Sequence, residues 1–144
     1  MAKLKVAVLV GSTRVDSINK RLARAFEKLA PENLEFQWVR IDDLPFYNHD
    51  LEPGRTPEVT RFTGEIKAAD AVLAVMPEYN RSIPAVLKNA IDWGSKPLTD
   101  NVWRDKPAAI AGTSPGPLAT GVGQQHLRQV LGILGATVMG GECY

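Results

Sequence analysis

The sequence predicts a three-layer α/β fold: a doubly wound, parallel five-stranded sheet with helices on both faces. Three observations carry this. Short apolar runs alternate with longer segments of helical periodicity along the whole chain. The runs "KVAVLV" and "AVLAVM" are nearly continuous, as expected for strands covered on both faces. Polar and small residues collect after three of the runs. Regular strand–helix alternation implies right-handed crossovers, and doubly wound sheets bind ligands beyond the carboxyl ends of their strands.

The elements follow in order. Lys5–Val10 is the first strand, rich in β-branched residues. Ile18–Ala30 is a helix with Ile18, Leu22, Ala25, Phe26 and Leu29 on one stripe. Glu35–Ile41 alternates and reads as a strand. Pro57–Ala69 is a helix with proline in its first turn. Ala71–Met76 is a buried strand. Pro84–Trp93 is a helix, with Pro84 expected at its first position. Pro107–Gly112 is the fourth strand, Gly123–Leu134 a helix, and Ala136–Gly140 opens a fifth strand. Only five residues follow Met139, where such sheets usually add a covering helix. The expectation is one domain, 1–144, whose last helix is missing and which is therefore C-terminally incomplete.

Composition narrows the function. The chain has 144 residues, of which 44% are hydrophobic, enough for one core. A formal net charge of +1 gives no footprint for nucleic acid or an anionic membrane. Cys143 is the single cysteine, so no disulfide framework or cysteine-rich zinc site is expected. His49 and His126 lack metal-ligand spacing. The apolar run Val6–Val10 is short for a secretory leader, and no segment reaches transmembrane length. A soluble cytoplasmic protein is expected.

The first loop, "GSTRVDSIN" (Gly11–Asn19), ends a strand and opens a helix. Unpaired N–H groups at a helix start attract anions. Ser12, Thr13 and Ser17 add hydroxyls, and Arg14 adds a planar fork that matches phosphate oxygens. The loop has neither the P-loop pattern nor the dinucleotide glycine fingerprint, which favours a terminal monophosphate such as that of FMN. The same residues also suit a plain turn with a serine cap and a solvent-facing arginine.

The second loop starts "PEYNRSI" at Pro77. Tyr79 and Asn80 offer apolar contact and main-chain groups to a flat heteroaromatic ring; a simple connection to a core helix is the other reading. Glu78 and Arg81 suit an ion pair. The third loop, "TSPGPLATG" (Thr113–Gly121), has two glycines that permit close backbone approach, and it also suits an ordinary surface loop. His126 and Arg128 read as a solvated helix face.

With "GSTRVDSIN", "PEYNRSIPAVLKNAIDW", Ser114-Pro115-Gly116 and "QHLRQVL", the chain resembles the NADPH-dependent FMN reductases over essentially its whole length. These are flavodoxin-like proteins that include quinone, chromate and azo-dye reductases. The resemblance implies that Ser12, Arg14, Ser17 and Asn19 hold the FMN phosphate, with Ile18 contributing its main-chain N–H. It implies Pro77, Glu78, Tyr79 and Asn80 around the isoalloxazine, with Ser114 and Gly116 closing over it. It implies hydride transfer from NADPH or NADH through flavin N5 to a small-molecule acceptor: quinones, chromate, azo dyes or free flavin. The cofactor carries that chemistry, so no catalytic side chain is assigned. A homodimer is implied, and a tetramer where Val122 and Gln125 serve. Arg81 departs from the family, many of whose members have an aromatic residue there.

Two other readings differ in class. A flavodoxin-type electron carrier without substrate turnover is expected to be acidic, and this chain is not. A nucleotide hydrolase would need a phosphate-loop lysine or metal carboxylates. Arg55, Arg81 and Lys88 are each candidates for a 2′-phosphate, so the sequence leaves NADH and NADPH open.

Overall fold

In the computed structural model, which describes residues 3–141, five strands form one parallel sheet. They are β1 (Leu4–Val10), β2 (Leu34–Trp38), β3 (Ala71–Val75), β4 (Pro107–Ala111) and β5 (Thr137–Val138). Four α-helices alternate with them: α1 (Ile18–Leu29), α2 (Pro57–Ala68), α3 (Ala85–Gly94) and α4 (Gly121–Ile133). The strand order is β2-β1-β3-β4-β5. The order turns back beside β1, so the ends of β1 and β3 flank the crevice where such sheets take ligands. Cys143 lies outside the described residues.

Alternate residues of each strand feed two cores. Val6, Val8, Leu73 and Val75 face α1, packing with Ala23 and the half-buried Leu22 and Phe26. Ala7, Leu9, Val72, Ala74 and Ile110 face the other way, against Phe62 and Ile66 of α2, Leu87 and Ile91 of α3, and Leu127 and Leu131 of α4. Three helices thus cover one face and α1 the other. The contact face of α1 is centred on Ala23, which is fully buried, so Leu29 is 82% exposed rather than part of the expected stripe.

Several boundaries differ from expectation for physical reasons. β2 stops at Trp38 because the chain leaves the ladder after Val39, whose N–H reaches Val8 O at 3.0 Å. Val39, Ile41 and Leu44 then bury themselves in the larger core. Pro84 is the N-cap of α3, with φ −59° and ψ 139°, not its first helical residue. The connection before α2 is tied down by α3: Asn89 accepts from Tyr47 N at 2.7 Å, and both Asn89 and Trp93 donate to Pro45 O. Trp103, unassigned by periodicity, is buried and donates its indole N–H to Ile91 O at 2.9 Å.

Glycines fix the closest approaches. A Cβ on Gly112 would stand 2.3 Å from Met76 O and 2.3 Å from Thr120 Oγ1, whereas one on Gly64, exposed on α2, would meet nothing within 4 Å. Gly112→Ala should therefore cost about 3 kcal/mol, at the upper end for overpacking. Gly64→Ala should stabilise by ~0.5–1 kcal/mol through helix propensity. Urea denaturation of both variants beside the parent checks the opposite signs.

Candidate functional site

The three polar loops meet at the carboxyl ends of β1, β3 and β4. The ladder is carried past the strand ends into their bases: Gly11 N donates to Val75 O at 2.8 Å, and Met76 N to Ala111 O at 3.0 Å. Met76 sits at the convergence. A Cβ on Gly11 would lie 3.1 Å from Met76 Cβ, and one on Gly123 would lie 3.0 Å from Met76 Cε.

In the first loop, Ser17 is the N-cap of α1, and its hydroxyl oxygen accepts from Lys20 N at 3.2 Å. The hydroxyl proton remains available to a ligand. The N–H groups of Ile18 and Asn19 have no acceptor among the described residues, as helix starts leave them. Ser12 is buried, and its hydroxyl has no partner among the described residues. Arg14 is exposed, with a guanidinium likewise unpartnered. Open donors around one helix N-terminus fit a phosphate monoester.

Asn19, which the resemblance gives to the phosphate, keeps its main-chain N–H open at the helix start while its side chain is engaged elsewhere. It is buried, and its amide bonds both main-chain groups of Thr113: Nδ2 donates to Thr113 O and Oδ1 accepts from Thr113 N, each at 3.0 Å. One side chain thereby fastens the first loop to the third. The sequence placed Asn19 in the site, but nothing in its neighbours names a partner 94 residues away.

In the second loop, Tyr79 and Ser82 exchange main-chain hydrogen bonds at 3.1 and 3.0 Å around Asn80 and Arg81. Both central residues have positive φ, 52° and 64°, the mark of a type I′ turn that usually takes Asn-Gly. Pro77 is half-buried, and Tyr79 and Asn80 are exposed on the tip. Glu78 turns inward. Its Oε2 accepts from Gly123 N at 2.8 Å, capping α4, whose own N-cap residue Thr120 provides no side-chain cap. Its Oε1 meets Arg81 Nη1 at 3.4 Å, the expected pair. The α4 start was misplaced by two residues because this cap comes from another loop.

The third loop organises itself. Ser114 Oγ donates to Ala119 O at 3.0 Å and accepts from Gly116 N at 3.2 Å. Ser114 and Gly116 join Glu78 and Arg81 along a cleft of about 250 Å³, walled also by Leu118. His126 is no bare surface residue: its Nδ1 lies 3.1 Å from Ser82 Oγ. Of the candidates for a 2′-phosphate, Lys88 is paired with Asp92 at 2.7 Å, Arg81 faces this cleft, and Arg55 has one buried guanidinium nitrogen without a partner. No group of three or more potential metal ligands exists among the described residues.

The comparisons give a chain of this fold its family. Residues 4–144 match the family described as NADPH-dependent FMN reductase, and the chain belongs to that family of flavodoxin-like oxidoreductases. A 2-hydroxy-1,4-benzoquinone reductase from a Burkholderia species is 50% identical over 137 residues, covering 94% of this chain and 74% of that protein. The structure of FerB, a flavoenzyme NAD(P)H:(acceptor) oxidoreductase from Paracoccus denitrificans, superposes with a TM-score of 0.92 at 46% identity, over 95% of this chain and 75% of that one. A Pseudomonas aeruginosa flavodoxin variant superposes at 0.61 with 23% identity, over 97% of this chain and 82% of that one, a likeness of fold alone. This chain thus spans about three quarters of the length of the quinone reductase and FerB.

The Asn80-Arg81 turn generates a test. A non-glycine residue held left-handed costs roughly 1–2 kcal/mol, and the exposed pair with Glu78 offsets little of it. Arg81→Gly should stabilise the flavin-free protein by ~0.5–1 kcal/mol after glycine's extra unfolded-state entropy. Urea denaturation measures this; a loss of stability would show that Arg81 is not strained.

Proposed function

We propose that the protein is a quinone reductase that holds FMN on the three loops and takes its electrons from NADPH or NADH. The carrying observation is the first loop, where Ser12, Arg14, Ser17 and the α1 N–H groups present donors with no protein partner. When bound, FMN supplies the redox chemistry, accepting a hydride from the nicotinamide and passing electrons to the acceptor.

The chain's own residues bind and orient. Ser12, Arg14, Ser17 and Ile18 N–H would hold the phosphate. Asn19 would add its own main-chain N–H, while its side chain keeps the first and third loops in register through Thr113. The main chain at Pro77, Glu78, Tyr79 and Asn80 would meet the ring, while the Glu78 carboxylate stays on the α4 cap. Ser114 and Gly116 would border the ring from the third loop. Arg81, on the rim of the same cleft, would attract an anionic or carbonyl-bearing acceptor. A quinone product can take its proton from water, so no acid–base side chain is required.

Tyr79 and Leu118 are about half exposed beside that cleft, and Val122 follows on α4. A second copy covering them would wall the ring, so the reading expects a homodimer, seen as twice the protomer mass by light scattering with FMN bound. No helix among the described residues is long and apolar enough to cross a membrane. The reading places the enzyme in the cytoplasm.

The test pairs binding with turnover. FMN-dependent NADPH oxidation should accelerate when a benzoquinone is added; oxidation indifferent to the quinone would overturn the reading. Arg14→Ala should weaken FMN by about ten- to a hundredfold, since charge-assisted hydrogen bonds contribute roughly 1.5–3 kcal/mol and ~1.4 kcal/mol is a decade. Riboflavin, which lacks the phosphate, should bind both proteins alike. Equal losses for both ligands would remove Arg14 from the phosphate.

A further inference from the structure

The cleft of about 250 Å³ shared by the second and third loops has two kinds of lining. Pro117, Leu118 and Ala119 supply an apolar part, and Glu78 and Arg81 a charged one. Ser114 and Gly116, which would border the flavin ring, line it as well. The volume is just below the roughly 300–1,000 Å³ of drug-sized sites, which suits a compact ring rather than a long-chained one.

The two charges are not equivalent. The Glu78 side chain is 7% exposed, and its Oε2 accepts from Gly123 N at 2.8 Å. Its charge is held at the α4 N-terminus, where the helix dipole is positive. Its Oε1 stands 3.4 Å from Arg81 Nη1, beyond the roughly 2.7–2.9 Å of a strong charge-assisted bond. The Arg81 side chain is 64% exposed, and its Nε and Nη2 have no partner among the described residues. The acid of the cleft is therefore engaged within the protein, while the arginine keeps one edge of its fork open to a ligand.

The backbone supplies a second observation. Arg81 has φ 64° at the turn position that usually takes glycine. Strain of this kind collects at functional sites, and an exposed ion pair offsets little of it. Glycine would relieve the turn, and it would also remove the cation that lines the cleft.

We propose that Arg81 is a specificity-determining residue of the acceptor site, selecting compact quinones that carry an ionised acidic group over neutral quinones of the same shape. This rests on the reading of the protein as a quinone reductase. In the reaction the quinone gains two electrons and two protons, as a hydride that originates in NADPH or NADH and a proton from water. The acidic group is unchanged. Its two oxygens meet Nε and Nη2 together, a planar match that an ammonium cannot make.

Steady-state reduction of 3-methyl-1,4-naphthoquinone-2-propanoate and of its neutral carboxamide by the FMN-loaded protein tests this, because the two share ring and shape. The parent should favour the carboxylate in kcat/KM. Arg81→Gly should lower that preference by about tenfold, ~1.4 kcal/mol. Arg81→Lys, which keeps the charge without the fork, should fall between. High salt should shrink the preference of the parent. A parent without the preference, or a preference that Arg81→Gly leaves unchanged, would overturn the proposal. Should neither quinone be reduced, the quinone-reductase reading falls by itself. Calorimetric titration of the parent and Arg81→Gly with 2-naphthylacetate and its neutral amide then still decides: tighter binding of the acid by the parent alone supports the anion site, and equal binding overturns it.

Discussion

The close packing around Met76 is the constraint on which the site depends. Gly11, Gly112 and Gly123 each stand where a Cβ would lie 2.3–3.1 Å from an atom of that residue. Without side chains at those positions, the ends of β1 and β4 and the start of α4 close on the end of β3. The polar loops are thereby brought into one neighbourhood before any ligand contributes. This is the doubly wound sheet's usual crevice, tightened until the three loops share walls and hydrogen bonds.

Two side chains convert that proximity into a fixed geometry. Asn19 closes a two-bond ring with Thr113, and Glu78 accepts from Gly123 at the head of α4. Both are polar groups at sites where an unpaired atom would be costly, so each tie resists being opened. The first tie sets the loop after β1 against the loop after β4, and the second sets the loop after β3 against α4. Pre-organisation of this kind lowers the ordering cost that a bound cofactor must otherwise meet.

The order of elements and the three loops were legible because each rests on local signals: β-branched runs, helical periodicity, and hydroxyls and glycines after strands. Ser17 as N-cap was legible for the same reason. What escaped reading depends on partners distant in sequence. Asn19 was legible as a residue of the first loop, but its side-chain tie to Thr113 was not, because that bond crosses 94 residues. The α4 start was placed late because its cap is Glu78. β5 shrank to Thr137–Val138, and β2 ended at Trp38 because burial of Val39 and Ile41 overrode their strand propensity. A cleft of about 400 Å³ that Lys20, Arg24 and Arg40 share was invisible, since these residues come together only when α1 lies along the end of β2.

The Asn19–Thr113 tie also bears on how the chain must fold. It joins residues 94 apart, with three strands and two α-helices between them. The entropy of closing so long a span grows only slowly with its length. A parallel sheet whose loops are tied across the chain is rich in non-local contacts, and topologies of that kind fold more slowly than those built from local ones.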